Sequence, residues 1–563
     1  MSLKGMLVAN TLLGMAGGIQ YFKLKGATKN PRQSSEKTLR GILEYAKDTE
    51  YGREHHFADI LKAGSAEELF RLYRENVAVN DYEDLRPYVE KHKHGNPDIL
   101  FPGKPILYAT TSGTTSEPKW IPITKEYLSN IYGKMTKVWL FNFIKNRPRV
   151  YSGKILSIVG KVKEGEAPDG TMFGSVSGVT QRDCPGFVKA LYSNPQCVYG
   201  IADYNARYYV LMRMGIEQDI TLIVTANPST IVELQNNVNR FYDDYVKDIE
   251  AGTLNASLKI DPEIRKELEA CLKPNPARAA ELRALKERYG QVLPKHYWPN
   301  LQILNTWKCG NTKVYLDKFK DSFPAGMLHQ EFGYFSSECR FGLVLDDTLN
   351  TVLFPHFHYY EFIKEEDLDN PNPTYYQLDE LEEGKRYCPY VTTYAGLYRY
   401  NMNDLLEIGP NFQNTPTVHL IQKVNGIVTL TGEKLHERQF IEAVRQAEEK
   451  TGLRTRFFIG FADLDILGYR FYYEFQDQSV SQEQAEQFTV VVDGILKKLN
   501  VEYETKRDSL RLKLPQTGRL VTESFEKFKE ECIAEGSRDG QFKLQLLLQD
   551  EKRHAKFKKL LLP

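Results

Sequence analysis

The hydrophobic pattern predicts strands and helices in alternation through most of the chain. Apolar residues recur at helical spacing in 35–47, 125–143 and 230–249, which predicts amphipathic helices. Short apolar runs such as 154–159 and 219–225 predict buried strands. This alternation favours an α/β architecture with mostly parallel sheets. A chain of 563 residues exceeds what one hydrophobic core usually supports, so we expect at least two domains.

The pattern changes character after residue 422. Asn425 and Gly426 form a turn signal, and a self-contained α+β unit follows. Its predicted helices and strands are helix 437–450, strand 456–461, strand 469–475, helix 482–499, strand 509–514 and helix 521–536. We therefore predict a large N-terminal domain over 1–422 and a small, mobile C-terminal domain over 423–563, joined by a hinge.

Charge and cysteine content narrow the functional classes. Lys plus Arg and Asp plus Glu both number 74, which does not fit a nucleic-acid binder, because such proteins need an excess of basic side chains. The seven cysteines form no C-x-x-C pair, so neither a zinc framework nor a disulfide scaffold is indicated. Reduced thiols favour a cytoplasmic location.

The N-terminal segment is apolar but short. Residues 6–19 form an apolar stretch that falls short of the roughly 20 residues needed to cross a bilayer. It also lacks the basic region that opens a signal peptide. We expect a docked N-terminal helix with no transmembrane segment and, at most, weak membrane contact.

The segment 108–122 carries the clearest chemistry. Its hydroxyl side chains and one glycine follow a predicted strand, and a lysine comes shortly after them. Hydroxyls and backbone N–H groups freed by glycine can bind phosphate oxygens, and a lysine adds positive charge. The segment is not a Walker loop, since Trp120 follows Lys119 where Ser or Thr would stand. From composition alone, a surface loop of small residues is an equally good interpretation.

Other catalytic signals are weaker. His356 and His358 could bind a metal, but no spaced third ligand accompanies them, and we interpret the pair as part of a structural strand. The sequence has no G-x-S-x-G elbow for a serine hydrolase and no G-x-G-x-x-G turn for a dinucleotide.

The segment 108–122 resembles the phosphate-binding loop of the auxin-responsive acyl-acid amido synthetases, the Gretchen Hagen family of the adenylate-forming superfamily. The matching residues are Thr111, Ser112, Gly113, Thr114, Thr115, Lys119, Ile121 and Pro122. Further segments follow the family's order along the chain: 48–53, 82–87, 298–301, 307–310, 333–338, 396–404, 431–435 and 540–543. Because the resemblance covers most of the chain, it is far more specific than one motif.

The resemblance implies roles for individual residues in the N-terminal domain. Thr111 to Thr115 would bind the phosphates of ATP, and Lys119 would stabilise the charge that develops on them. In the segment Y-F-S-S-E, Tyr334 would stack on adenine, Ser336 and Ser337 would lie close to the nucleotide, and Glu338 would hold Mg²⁺.

Asp404 would accept hydrogen bonds from both ribose hydroxyls. The sequence departs from the family at Asn401 and Asn403, where Arg and Gly are usual; Asn tolerates positive φ, so Asn403 can preserve the turn. In the small domain, the resemblance assigns nucleotide contact to Lys434 and a catalytic role to Lys543. The terminal segment matches less well, because Gln545 replaces the family's proline.

The resemblance therefore implies an enzyme that uses ATP and Mg²⁺. It would activate a small carboxylic acid as an acyl-adenylate and transfer the acyl group to an amine, with an amino acid as the expected acceptor. Two alternatives remain open from the sequence: an acyl-CoA ligase of the same superfamily, and a nucleotide-binding scaffold that has lost turnover.

Overall fold

The computed structural model describes residues 3–563 except 112–118, 310–315, 317–318, 320, 369, 425–426, 429, 431–432, 434, 509–511 and 535–544. Contacts between Cα atoms divide the chain into two compact units, Met1–Met402 with Leu406–Leu420, and Asn403–Leu405 with Ile421–Pro563.

The first unit contains fourteen described α-helices. They are α1 (Leu3–Ala27), α2 (Pro31–Ala46), α3 (Glu50–Glu54), α4 (Phe57–Ile60), α5 (Ala66–Asn76), α6 (Tyr82–Lys93), α7 (Gly133–Asn146), α8 (Val176–Arg182), α9 (Gly186–Lys189), α10 (Tyr204–Glu217), α11 (Ser229–Ala251), α12 (Pro262–Glu269), α13 (Pro276–Tyr289) and α14 (Pro294–Tyr297). A π-helical segment, Tyr127–Tyr132, runs directly into α7. Short 3₁₀ segments lie at Gln196–Gly200, Glu365–Asp367 and Leu378–Glu380.

One sheet of this unit is parallel throughout. Its strands are β3 (Lys154–Ser157), β6 (Ile220–Val224), β7 (Ile303–Thr306) and β8 (Leu328–Glu331), and they are neighbours in that order. Every residue of β6 and β7 is buried, as expected for strands covered on both faces. The predicted strand 219–225 and helix 230–249 correspond to β6 and α11.

Two further sheets complete the unit. One has the order β2 (Lys119–Ile123), β1 (Leu107–Thr111), β5 (Met172–Phe173) and β4 (Gly165–Glu166). The other has the order β11 (Tyr359–Lys364), β12 (Arg386–Thr392), β14 (Asp404–Phe412), β15 (Thr415–Lys423), β10 (Thr351–Leu353) and β9 (Gly342–Val344), with β13 (Tyr400–Asn401) beside β12. The described registers of this larger sheet are antiparallel. The α/β class is confirmed. Within this unit, the described parallel pairs are those of β3, β6, β7 and β8 and the pair of β1 with β5.

The second unit is an α+β arrangement. Its helices are α15 (Glu437–Thr451), α16 (Gln482–Leu499), α17 (Val501–Asp508), α18 (Ser524–Ala534) and α19 (Glu551–Lys558). Its main sheet has the order β20 (Gln516–Arg519), β19 (Gly468–Phe475), β18 (Thr455–Asp463) and β21 (Leu547–Leu548), and a small ladder joins β16 (Ile427–Val428) to β17 (Leu435–His436).

Two local predictions were wrong. The alternating pattern of 509–514 predicted a strand, but the described residues 512–514 are irregular and the strand is β20, beyond Pro515. Leu512 is buried whereas Leu514 is exposed, so the alternating leucines do not share one buried face. His356 lies in a turn before β11 instead of in a strand. Among the helices that the structure describes, none is long and apolar enough to cross a membrane.

Candidate functional site

Strands β1 and β2 bring the ends of the hydroxyl-rich loop together. They pair antiparallel, with Thr111 directly opposite Lys119, so the segment between them connects neighbouring strand ends. Ser112, Gly113, Thr114 and Thr115 lie outside the described residues, and their predicted phosphate contacts stay predictions.

Lys119 begins β2 among tyrosines. Its Nζ donates to the Tyr400 hydroxyl at 3.3 Å and lies 5.8 Å from the centre of the Tyr82 ring. Tyr82 is itself held in place, because its hydroxyl accepts from the Trp120 backbone N–H at 2.6 Å. Aromatic faces attract a cation without forming an ion pair with it, so the Lys119 side chain can still bind an anionic ligand.

A buried carboxylate shapes the turn that follows β8. Glu331 accepts hydrogen bonds from the backbone N–H groups of Lys308, Cys309 (3.1 Å) and Gly333 (3.0 Å). Burial raises the pKa of Glu331, while these three donors oppose that rise. Gly333 has φ of 103°, and a Cβ there would lie 2.8 Å from the Gly342 carbonyl oxygen, so glycine is required. Sequence reasoning did not single out Glu331.

The Ser-Ser-Glu segment forms the tip of a tight turn. Phe335 and Arg340 form an antiparallel bridge, and the Ser336 N–H donates to the Cys339 carbonyl at 2.9 Å. The Ser336 hydroxyl accepts from the Cys339 N–H at 3.3 Å. Ser337 and Glu338 therefore lie at the tip, where both are half-buried. Mg²⁺ at nucleotide sites is often held by one or two protein carboxylates, with phosphates and water as its other ligands. The half-buried Glu338 carboxylate in this turn fits that kind of site.

Tyr334 is more enclosed than its predicted role suggests. Its ring stacks on Phe341 with centroids 4.1 Å apart, and its backbone N–H donates to the Thr351 hydroxyl at 3.1 Å. One ring face is thus occupied, which leaves at most the other face for adenine. The adenine contact stays a prediction.

Arg340 lies two residues beyond Glu338 and was missed by the sequence reasoning. Its side chain is 3% exposed, and its guanidinium carbon lies 5.0 Å from the Tyr132 ring centre, 5.3 Å from that of Trp139 and 5.7 Å from that of Phe335. Nη1 donates to the Thr136 hydroxyl at 2.8 Å. Burial lowers the pKa of Arg340 from its usual value. Among the residues that the structure describes, no carboxylate forms a hydrogen bond or an ion pair with Arg340.

Two buried donors in this enclosure lack an acceptor. Within the described part of the chain, neither Arg340 Nε nor Trp139 Nε1 has a hydrogen-bond partner. A buried donor that is not hydrogen-bonded costs roughly 1–3 kcal/mol. Two such donors around one guanidinium indicate a site for an anionic acceptor, such as a carboxylate. No local pattern marked Arg340, because Tyr132 in the π-helical segment and Trp139 in α7 lie far earlier in the chain.

The chain itself links Lys119 to this enclosure. Strand β2 leads into Thr124, whose hydroxyl accepts from the Tyr127 N–H at 3.0 Å, and the Tyr127 hydroxyl accepts from the Arg340 N–H at 3.1 Å. Thus the segment that follows the hydroxyl-rich loop is hydrogen-bonded to the Ser-Ser-Glu turn.

The remaining predicted residues lie in Asn403–Leu405 and Ile421–Pro563, so the first two residues of β14 are counted with the second unit and the rest of that strand with the first. Asp404 is buried at the start of β14, and Asn403 has φ of 51°, the left-handed conformation expected where the family has glycine. Glu433 is buried and accepts from the Leu430 N–H at 2.9 Å and from the Tyr469 hydroxyl. Lys434 and Lys543 lie outside the described residues. The roles of Asp404, Lys434 and Lys543 stay predictions.

Three family models match successive parts of the chain: the GH3 family N-terminal domain over residues 21–327, the central domain over 351–423 and the C-terminal domain over 438–552. The probable indole-3-acetic acid-amido synthetase GH3.1 of Arabidopsis thaliana is 24% identical over 549 residues, which cover 91% of each chain. The jasmonoyl-L-amino acid synthetase JAR4 of Nicotiana attenuata is 26% identical over 443 residues, 75% of this chain and 74% of the relative.

A solved structure of the GH3.15 acyl acid amido synthetase has the same fold. It superposes with a TM-score of 0.82 at 20% identity and covers 96% of both chains. The sequence resemblance is confirmed by the family models, which together span most of the chain. The chain belongs to the GH3 family.

Proposed function

We propose that this chain is an ATP-dependent acyl-acid amido synthetase. In the first step an oxygen of the substrate carboxylate attacks the α-phosphorus of ATP, and pyrophosphate leaves. In the second step the nitrogen of an amino acid attacks the acyl carbon, AMP leaves, and the amine gives up a proton as the amide forms. Relatives named as amido synthetases support this assignment.

The observation that carries the proposal is the enclosure around Arg340. An acid must be bound and partly stripped of water before its oxygen can attack, and a buried guanidinium with Trp139 Nε1 beside it supplies matching donors. The aromatic side chains around it suit the hydrocarbon part of an organic acid. The turn that carries Glu338 continues directly into Arg340, which favours binding of the acid next to the nucleotide.

On the nucleotide side, Lys119 and residues 111–115 would stabilise the phosphates, with Tyr334, Ser336, Ser337 and Asp404 around the nucleoside. Mg²⁺ held by Glu338 would neutralise charge on the phosphate oxygens. The proposal also keeps 1–422 as the adenylation domain and 423–563 as a separate domain carrying Lys434 and Lys543. A cytoplasmic location belongs to the same proposal.

The test is product analysis with the full chain. Protein, ATP and Mg²⁺ are incubated with a panel of carboxylic acids and either amino acids or coenzyme A, and products are identified by mass spectrometry. We expect an amide, with AMP and pyrophosphate formed in equal amounts.

The other two outcomes contradict the proposal in different ways. Thioester in place of amide would identify an acyl-CoA ligase. No AMP with any acid, in protein that still binds ATP, would identify a scaffold without turnover.

A further inference from the structure

An apolar stripe runs along the outer face of α1. Leu12, Met15, Ile19 and Phe22 are spaced three and four residues apart, which places them on one side of the helix. Their exposed fractions are 46%, 66%, 58% and 70%. Apolar residues are often exposed singly, but four large ones in register form a continuous surface. We call these four residues the α1 stripe.

The opposite face of α1 is fixed against α7. Leu13 and Gly17 are buried, and a Cβ at Gly17 would collide with the Lys137 carbonyl oxygen and with Phe141. Tyr21 contacts Phe141 at a ring distance of 5.4 Å, and Lys145 lies 5.3 Å from the Tyr21 ring centre. Because the face of α1 with Leu13 and Gly17 packs closely on α7, the α1 stripe on the opposite face points away from α7.

The charges on α1 itself are of one sign. Residues 3–27 contain three lysines, Lys4, Lys23 and Lys25, and no acidic residue. The first acidic residue of the chain is Glu36. The whole chain has a net charge of +0, so the excess of positive charge is a property of this segment and not of the chain as a whole.

We infer that the α1 stripe docks on the surface of an anionic lipid membrane. Exposed apolar side chains beside lysines and without acidic residues are the pattern of a helix that lies in the plane of a membrane interface. The apolar side chains would enter the boundary between headgroups and acyl chains, and the lysines would attract anionic headgroups. A second copy of this chain fits less well, because pairing two such surfaces would bring lysines against lysines.

Vesicle flotation with the full chain tests this inference, independently of any activity. The protein is mixed with vesicles of phosphatidylcholine alone or of phosphatidylcholine with phosphatidylglycerol, at low and at high salt. We expect flotation with the anionic vesicles, little with the neutral ones, and release at high salt. The double variant Met15→Gln/Phe22→Gln should weaken binding about tenfold or more.

A matched control distinguishes an effect of the α1 stripe from a general effect of exposed apolar side chains on vesicle binding. Leu464→Gln/Val490→Gln removes two side chains with similar exposure, 58% and 50%, from the second unit, and should bind like the wild type. All four substituted side chains are exposed, so circular dichroism should show intact folds. Failure of the wild type to float with anionic vesicles would overturn the inference. Vesicle binding by the α1 variant at the wild-type level would also overturn it. So would a wild-type dimer that forms without lipid and that the α1 substitutions dissociate.

Discussion

A buried guanidinium is stable only where its lost hydration is offset, and Arg340 has one hydroxyl and three aromatic rings around it. We predict that Arg340→Met raises the KM for the acid by about 10- to 100-fold, because a charge-assisted hydrogen bond is lost. The KM for ATP should change little. Steady-state kinetics with acid and ATP varied separately would measure the difference.

Thermal unfolding of the same variant distinguishes binding from a structural role. Replacing an uncompensated buried charge with an apolar side chain of similar size is often neutral or stabilising. Arg340→Met should therefore unfold at the wild-type temperature or above it. Arg182→Met, which removes a half-exposed guanidinium paired with Asp183, is the matched control and should change neither the KM for the acid nor the KM for ATP. A destabilised Arg340→Met with an unchanged KM for the acid would contradict the assignment.

His92 provides a pH-dependent contribution to stability. Its Nδ1 lies 3.1 Å from the Asn96 carbonyl oxygen, and its Nε2 accepts from the Leu100 N–H at 3.1 Å, so the neutral ring satisfies both groups. Burial lowers the pKa of His92 to about 4. Between about pH 6.5 and pH 4 the unfolded chain binds a proton that the folded chain does not. The free energy of unfolding therefore falls as the pH is lowered through this range, by at most about 1.4 kcal/mol per pH unit for this group.

His92→Gln should reduce this dependence. The difference between unfolding midpoints at about pH 7 and about pH 5 should be smaller in the variant than in the wild type. His94→Gln, at the exposed position that directly follows α6, should behave like the wild type. An unchanged pH dependence in His92→Gln would mean that this imidazole does not stay neutral in the folded protein.

Individual residues differ in how far the sequence alone could identify them. Glu338 and Lys119 were named because a local motif contains them, and the left-handed φ of Asn403 was expected from the chemistry of Asn. Arg340 and Glu331 were missed, since their importance comes from burial and from partners distant in sequence. Pattern reasoning cannot supply such partners.

At the level of elements, the contact between α1 and α7 depends on glycine at one position. Gly17→Ala places a Cβ against the backbone of α7, where no flexible side chain can move away, so we expect destabilisation of about 1–3 kcal/mol. Gly14→Ala meets no atom within 4 Å and should be neutral or stabilising by up to about 1 kcal/mol. Thermal unfolding of both variants is the measurement. Equal effects at the two positions would mean that α1 does not pack closely on α7.

Elements with strong periodicity were the most predictable. The predicted helix 482–499 matches α16, and the helix 230–249 matches α11 within two residues at each end. The prediction of a strand at 509–514 was wrong because alternation alone does not determine which residues pair with a neighbouring strand. Gln516–Arg519 pair with β19 instead.

At the scale of the whole molecule, the alternation of strands and helices was sufficient to predict the α/β class. It did not predict the large antiparallel sheet, because strands that are distant in sequence, such as β10 and β15, pair in it without leaving a local signal. The family could be identified because many short segments occur in one order. The enclosure around Arg340 could not be predicted, since it exists only once α7 and the turn after β8 are brought together.

Acid-dependent exchange of labelled pyrophosphate into ATP tests the central claim most directly, because it reports adenylate formation without needing the amine. The wild type should exchange label only when a suitable acid is present. Glu338→Gln should lose about 100-fold or more of this activity while keeping the wild-type fold, because the carboxylate that would hold Mg²⁺ is gone. Undiminished exchange by Glu338→Gln, or no exchange by the wild type across a broad panel of acids, would contradict the account.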